Sequence, residues 1–548
     1  MKTLFISLMR LGDFLMMREV IRSYKQKNGG EIQVLIYKEF EFAKSLFPFV
    51  DQWISIDRKE MQEVASRKDQ YILNNFFALD HLLQRIENED YDKVISLTHN
   101  HLSHYFLSAL NLEPSQVIGS RVYDSAIDYG SPWVQYLNDI GSFEGVSAFH
   151  LIDIYRSALG LYSIESLEDL ELNESIRASI PQEEYICIQM TSNEEKKTFS
   201  SEKWKEVIQY YRQLDSKRKI LCLCAPSEEE RLQKEFGELQ KLKVEIKPCD
   251  LPTAQALIHQ AKLLVTPDTA IKYLAIGSRT PVLELSLGSS QYNQTGSYTE
   301  DSLILQANLE CSPCSHRLKC PNASYICQDM MGADLIGYTM FHHMERNWMA
   351  IDILASEFFE EVNFYRAEFL QNRFWFASRL GEGALAENLK SMFHQASWQV
   401  VLQERNVEDW QRFDLEAQVI RRYLIEKAYT SPENLRPVLE KFEAILLGME
   451  LESEELIRSL SPRDNARKNR KDRDKSLQAV NLWFDRNRSL NQDLPAFEQL
   501  CIEAIHGDMG AEFSEDSATC RVLDNMNHII KIERKLSEMI RVDYMEIL

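Results

Sequence analysis

Lys2 to Leu8 is a short apolar run that stops at Arg10-Leu11-Gly12-Asp13, and an amphipathic stretch from Phe14 to Lys25 follows. The alternation then repeats. Glu31 to Tyr37 reads as a strand, Glu39 to Leu46 as a helix, Trp53 to Ile56 and Lys93 to Leu97 as strands, and Leu102 to Leu110 as a helix. Short apolar runs set between helical segments predict a parallel α/β sheet, because strands covered on both faces have no polar side to show. Leu161 to Glu184 is acidic, lacks a strand pattern and reads as a linker. Alternation resumes with strands at Tyr185–Gln189, Ile220–Ala225, Val244–Ile246, Leu263–Thr266 and Val282–Leu287. Between them, Ser201–Arg212, Ser227–Leu239, Thr253–Gln260 and Thr269–Ile276 read as helices. Two doubly wound Rossmann-like units in series predict a two-lobed α/β protein that binds its ligand in a cleft beyond the strand ends.

From about Met331 the pattern changes, and Leu354, Phe358, Val362, Tyr365, Phe369, Phe376 and Leu380 recur at mostly three- to four-residue steps. That period predicts helices, with the aromatic stripe Phe364 to Phe376 as helical core. Ser431-Pro432 has the form of a capped helix start, and Arg463 to Lys475 reads as an exposed loop. The expected organisation is therefore an amino-terminal lobe over 1–160, a linker over 161–184, a second lobe over 185–330 and an α-helical extension over 331–548.

Composition narrows the function. With 62 Lys and Arg against 84 Asp and Glu, the 548-residue chain carries a formal charge of −22. An acidic surface repels a phosphate backbone, so nucleic acid is not the expected partner. A hydrophobic fraction of 44% excludes a disordered or fibrous chain. No apolar run has the length to span a bilayer, and the start lacks the long apolar core of a signal peptide. Cys187, Cys222, Cys224 and Cys249 sit in or beside apolar runs, as reduced thiols do. These signs together predict a cytoplasmic protein.

Four segments at strand–helix junctions can carry chemistry. Asp13, held at a cleft edge by the turn at Gly12, can take a proton from a hydroxyl or can simply cap the helix. On the loop Gln189 to Ser200, the hydroxyls of Thr191 and Ser192 and the ammonium of Lys197 suit a phosphate, unless the loop is only a solvated surface with Ser200 as cap. Asp268-Thr269-Ala270-Ile271-Lys272-Tyr273 runs from a strand end into a helix start, an anion site unless Asp268 is no more than a cap. Glu228, Glu229 and Glu230 open another helix, where acids also complement the dipole.

In their order and spacing these segments resemble glycosyltransferase family 9, the bacterial heptosyltransferases. Arg10-Leu11-Gly12-Asp13 resembles the family's Arg-Ile-Gly-Asp signature. Lys197, ahead of Trp204, resembles its Lys-x-Trp-Pro segment, and Asp268-Thr269 with Leu274-Ala275 resembles its Asp-Thr-Gly-x-x-His-Leu-Ala box. The resemblance covers about residues 1–330 and implies a GT-B fold, two Rossmann-like lobes facing a cleft. It implies inverting transfer from a nucleotide-diphosphate sugar, ADP-heptose being the type donor, to a glycan or protein hydroxyl. Asp13 would act as base and Lys197, with Thr191 and Ser192, would stabilise the leaving diphosphate. Amides around Thr269 to Ile271 would bind the same phosphates, Glu230 would contact the donor ribose, and no cofactor is required for catalysis. The box's Gly is Ala270 here and its His is Tyr273, with Tyr273 or Lys272 able to supply the missing donor. These departures keep a rival open, a non-catalytic GT-B scaffold; a nucleotide-sugar epimerase of the same shape is another.

Cys311, Cys314, Cys320 and Cys327 lie within 17 residues. Such clustering suits a structural zinc or iron that pins the loop, as in the family's metal-finger branch. Arg10 and, with His104, the residues His99 and His101 lie on the acceptor side; their spacing is poor for a metal site. The helical extension is expected to recognise the acceptor or to mediate self-association.

Overall fold

A computed structural model describes residues 1–58, 80–143, 147–161, 170–314 and 319–381, apart from 99, 171, 193, 321, 323, 371 and 372 within those ranges. It also describes scattered helical positions between 384 and 458 and between 530 and 538. The chain divides into two compact units, one of residues 1–135 with 150–382 and the other of 136–149 with 383–548.

The first unit holds two sheets. Strands β1 (Lys2–Ser7), β2 (Glu31–Tyr37), β3 (Gln52–Ile56), β4 (Lys93–Ser96) and β5 (Val117–Ile118) form a sheet in the order β3-β2-β1-β4-β5. All its pairs are parallel. Leu4, Phe5, Ile6, Val34, Leu35 and Val94 are fully buried, as expected of strands covered on both faces. A short hairpin of β6 (Arg121–Tyr123) and β7 (Ala126–Asp128) lies outside the sheet.

The second sheet has eight strands: β8 (Tyr185–Ile188), β9 (Lys219–Cys224), β10 (Val244–Pro248), β11 (Leu264–Pro267), β12 (Val282–Ser286), β13 (Leu303–Ala307), β14 (Val362–Leu370) and β15 (Arg373–Arg379). Its order is β10-β9-β8-β11-β12-β13-β14-β15, parallel as far as β13 and antiparallel beyond. The chain direction across each sheet reverses at one place, between β1 and β4 in the first and between β8 and β11 in the second. Loops leaving the carboxyl ends of strands diverge there and open a crevice. Arg10 to Asp13 follow β1, Gln189 to Lys197 follow β8, and Asp268 follows β11.

The all-helical expectation for 331–548 fails over residues 362–379. Val362, Phe364, Tyr365 and Ala367 are buried, and β14 pairs with β13 from Leu303↔Arg366 to Ala307↔Val362. An aromatic-rich segment beside an unpaired apolar sheet edge gains more as a strand than as a helix, whatever its spacing in sequence suggests. The helix Ala333–Met344 also belongs to this lobe. A Cβ at its Gly337 would stand 2.7 Å from both the Tyr210 Cβ and the Val207 carbonyl oxygen, so only glycine lets this helix approach Ser201–Leu214. Within the linker, Glu174–Ser179 is a short helix capped by the Asn173 side chain.

Of the second unit, Met392, Ala396, Trp398 and Leu402 are buried, and the Tyr136 and Trp398 rings meet at 5.0 Å. Arg534 pairs with Glu450 at 2.7 Å and Lys531 with Glu454 at 2.9 Å. Ser431-Pro432 and Arg463 to Lys475 lie outside the described residues. No described helix is long and apolar enough to cross a membrane.

Candidate functional site

The chain turns sharply after β1, and a helix runs from Leu11 to Asn28. Gly12 is already helical and takes no left-handed conformation, contrary to the expected glycine turn. Nor does packing demand a glycine here, since an added Cβ would make only ordinary van der Waals contacts. A Cβ there would sit 3.7 Å from the Ala270 methyl and from the Tyr273 ring. Asp13, in the first turn, accepts from the Arg10 backbone N–H at 3.3 Å and from Arg10 Nε at 3.5 Å, both through Oδ2. It therefore caps the helix, yet Oδ1 has no partner among the described residues. Burial pushes the Asp13 carboxyl above the ordinary aspartate range, against the pull of Arg10, and Asp268 adds a smaller push the same way.

The opposite edge is built around charge pairs. Lys197 Nζ meets Asp268 Oδ2 at 2.6 Å, Lys272 Nζ meets Asp268 Oδ1 at 2.6 Å, and Lys272 Nζ also meets Glu284 Oε1 at 2.7 Å. Lys272 and Glu284 are fully buried. The Ser290 hydroxyl donates to Glu284 Oε1, and the Ser297 N–H and hydroxyl donate to Oε2 at 2.7 Å each. Burial alone pushes the Asp268 carboxyl up, but Lys272 and Lys197 overcome it and hold the group well below the usual carboxylate range. Burial pulls the Lys272 ammonium down, yet Asp268 and Glu284 keep it above the ordinary lysine range.

Gln189 organises the loop ends. Its carbonyl accepts from the Thr266 and Thr269 hydroxyls at 3.2 Å each, and its amide donates to Thr191 Oγ1 at 3.0 Å. Thr191 in turn donates to Glu228 Oε1 at 3.3 Å. Glu228 Oε2 accepts from the Ala225 N–H at 3.2 Å, closing the turn after β9.

A cavity of about 780 Å³ lies against both edges. Arg10, Asp13, Thr191, Ser192, Lys197, Asp268, Thr269, Ala270, Ile271 and Tyr273 all line it. Two expected donor contacts do not. Lys272 is enclosed in its ion pairs, and Glu230, the second residue of the helix Glu229–Phe236, is not part of the wall that Glu228 lines. The Tyr273 hydroxyl donates to the Thr295 carbonyl at 2.8 Å, and the Lys272 ammonium is engaged by Asp268 and Glu284. Ala270 begins a six-residue 3-10 helix in place of the expected longer one, its methyl against Gly12. Leu223, Cys224, Ala225, Pro226 and Leu251 give one end of the cavity an apolar wall. Gln189 and Glu284 organise this region although the motifs do not single them out, and of the three adjacent acids Glu228 is the one that lines the cavity. A single acid inside the apolar run Val282–Leu287 is nonetheless a usable signal, because a carboxylate there must have a partner.

His99 and the side chain of His101 lie outside the described residues. His104 Nδ1 meets the Ser120 hydroxyl at 2.9 Å. The cysteine loop packs on the Lys197 loop, with the Gln328 amide donating to the Glu195 carbonyl at 3.1 Å and the Cys314 N–H to Gly288 at 2.9 Å. Burial raises the Cys314 and Cys327 thiols, and the neighbouring thiols of the group add to the rise. Among the described residues no three His, Cys, Asp or Glu groups stand close enough to hold a metal ion.

Residues 80–325 match the sequence model of glycosyltransferase family 9 (heptosyltransferase). Among solved structures the chain is similar to a family 9 glycosyl transferase from Veillonella parvula, at 15% identity and a TM-score of 0.43 over 63% of this chain and 97% of that one. It is also similar to the ADP-heptose LPS heptosyltransferase II of E. coli, at 13% identity and a TM-score of 0.43 over 64% of this chain and 100% of that one. A third is the E. coli heptosyltransferase WaaC with ADP-2-deoxy-2-fluoro heptose, at 16% identity and a TM-score of 0.42 over 63% and 100%. No curated protein matches the chain.

Proposed function

We propose that the chain, whose residues 80–325 match the glycosyltransferase family 9 model, is a glycosyltransferase that moves a heptose-like sugar from a nucleoside diphosphate to a glycan or protein hydroxyl, with inversion. One observation carries the reading: a desolvated carboxylate, Asp13, and the ammonium of Lys197 border the same cavity. The apolar wall at Leu223 to Pro226 suits a nucleobase, and Glu228 suits a ribose hydroxyl. Thr191, Ser192, Lys197 and the amides from Thr269 to Ile271 suit a diphosphate.

In the reaction the acceptor oxygen attacks the anomeric carbon, and its proton passes to Asp13. The bond from that carbon to the β-phosphate oxygen breaks with its electron pair, and Lys197 stabilises the charge that appears there. No step needs a metal. The four cysteines, which do not stand close enough together to hold an ion in this arrangement, enter none of these steps.

The test is a panel of nucleoside diphosphate sugars, scored by rise in melting temperature and by turnover. At least one should stabilise the protein and turn over. Asp13→Ala should lower turnover by about 10²–10⁴-fold and leave donor affinity nearly unchanged. A panel in which nothing binds favours the non-catalytic scaffold instead, as does an Asp13→Ala protein with undiminished turnover.

A further inference from the structure

Asp268 is held by two ammonium groups that differ in freedom. Lys197 takes Oδ2 and borders the cavity; its next contact, with Glu194, is 3.8 Å away. Lys272 takes Oδ1, is fully enclosed, and is fixed on its far side by Glu284. Glu284 is itself anchored by the N–H and hydroxyl of Ser297 and the hydroxyl of Ser290. The four charged groups sum to zero. A diphosphate entering the cavity would draw Lys197 towards it, and each ammonium already occupies its own carboxylate oxygen.

We propose that Lys272 is a positioning residue, a standing counter-ion for Asp268 that lets Lys197 leave that carboxylate for the donor diphosphate without stranding a buried charge. The inference rests on the diphosphate role given to Lys197 above. With Lys272 in place, departure of Lys197 leaves Asp268 still paired. Without Lys272, Asp268 and Glu284 would together present two negative charges to Lys197, which would then be held in place. Breaking a buried pair by removing one partner is costly, whereas an intact pair tolerates the loss of a second contact. Lys272 also stands inside the segment where the chain departs from the family's box, so its test bears on whether those departures disable the site.

The probe is ADP, with UDP and GDP alongside, titrated calorimetrically into the full-length wild type and two variants. Lys272→Met with Glu284→Gln removes one charge of each sign and keeps the buried region neutral. It should bind the preferred diphosphate about tenfold or more weakly, since Lys197 now answers to Asp268 alone. Adding Asp268→Asn should bring affinity back to within about threefold of wild type, because the carboxylate that traps Lys197 is gone. A merely structural role for Lys272 makes the third substitution neutral or harmful. A double variant that binds like wild type, or a triple variant no better than the double, overturns the inference alone. Wild type that binds none of the three nucleotides overturns the proposed reaction and this inference with it. Should the variants fail to fold, a crystal structure of wild type with ADP decides. Lys197 Nζ on a phosphate oxygen, with Asp268 still on Lys272, supports the proposal. Lys197 still on Asp268 and away from the phosphates overturns it.

Discussion

Asp13 and Asp268 border the same cavity, yet burial governs the first while two lysines govern the second. At the β1 edge the carboxylate's ion-pair partner among the described residues is Arg10, long and mostly exposed, and its guanidinium stands 3.5 Å away. A screened contact of that kind does not offset desolvation, so the carboxyl is proton-hungry. At the β11 edge both ammonium contacts are 2.6 Å long and buried, so the carboxyl is ionised throughout the ordinary pH range. Two identical side chains thus acquire opposite tasks, one disposed to accept a proton and one to hold a cation. Environments that drive paired acids apart are how acid–base roles are assigned on a shared scaffold.

The sharpest way to break this contrast is to remove the compensation at the second edge. Lys272→Met alone leaves Asp268 and Glu284 facing each other in the interior with Lys197 as the one remaining cation. It should destabilise the protein by about 3–5 kcal/mol, the cost typical of orphaning a buried charge. Restoring neutrality with Glu284→Gln should recover much of that loss. Denaturant midpoints for the single and double variants check both statements, and a Lys272→Met protein as stable as wild type would show that the pair is worth little.

The first edge gives a prediction of the opposite sign. A carboxyl whose pKa is raised on folding makes its ionised form a burden on the folded state at neutral pH. That burden fades as pH falls through the raised value and is absent below the unfolded aspartate pKa, where both states are protonated. Asp13→Asn should therefore raise the melting temperature at neutral pH, with an advantage that shrinks on acidification. Transfer by the wild type should fall on the acid side at a pH above the ordinary aspartate range, because the base must be ionised. A melting temperature that drops at neutral pH would mean the Arg10 contacts outweigh desolvation.

The contrast also marks what a sequence makes legible. Strands buried on both faces show themselves as apolar runs, and the residues that follow them, such as Asp13, Lys197 and Asp268, fall at the crevice by topology. β14 was hidden because Phe358, Val362, Tyr365 and Phe369 happen to fit a helical period, while the fact that decided the matter, the open edge of β13, is a tertiary one. Lys272 was legible as a cation and illegible as a buried one. Its neutralisation depends on Glu284, twelve positions away on another element, and such pairing has no local signature. Glu230 and Glu228 are separated by half a helical turn, which sequence alone cannot phase against a cavity wall.

That last pair gives the smallest and most discriminating prediction. Glu228 lines the cavity and receives both the Ala225 N–H and the Thr191 hydroxyl, while Glu230 does not line it. Glu228→Gln keeps a neutral acceptor for the Ala225 N–H, so the turn after β9 should hold. It loses the charge that strengthens a bond from a ribose hydroxyl, worth about 1 kcal/mol, or roughly fivefold in nucleoside diphosphate affinity. Glu230→Gln should change that affinity by less than about twofold, as exposed substitutions do. Measured side by side by calorimetry, the two variants decide which acid faces the ribose. If Glu230→Gln proves the costlier, the nucleoside lies further along the helix Glu229–Phe236, and the apolar wall at Leu223 to Pro226 is not its seat.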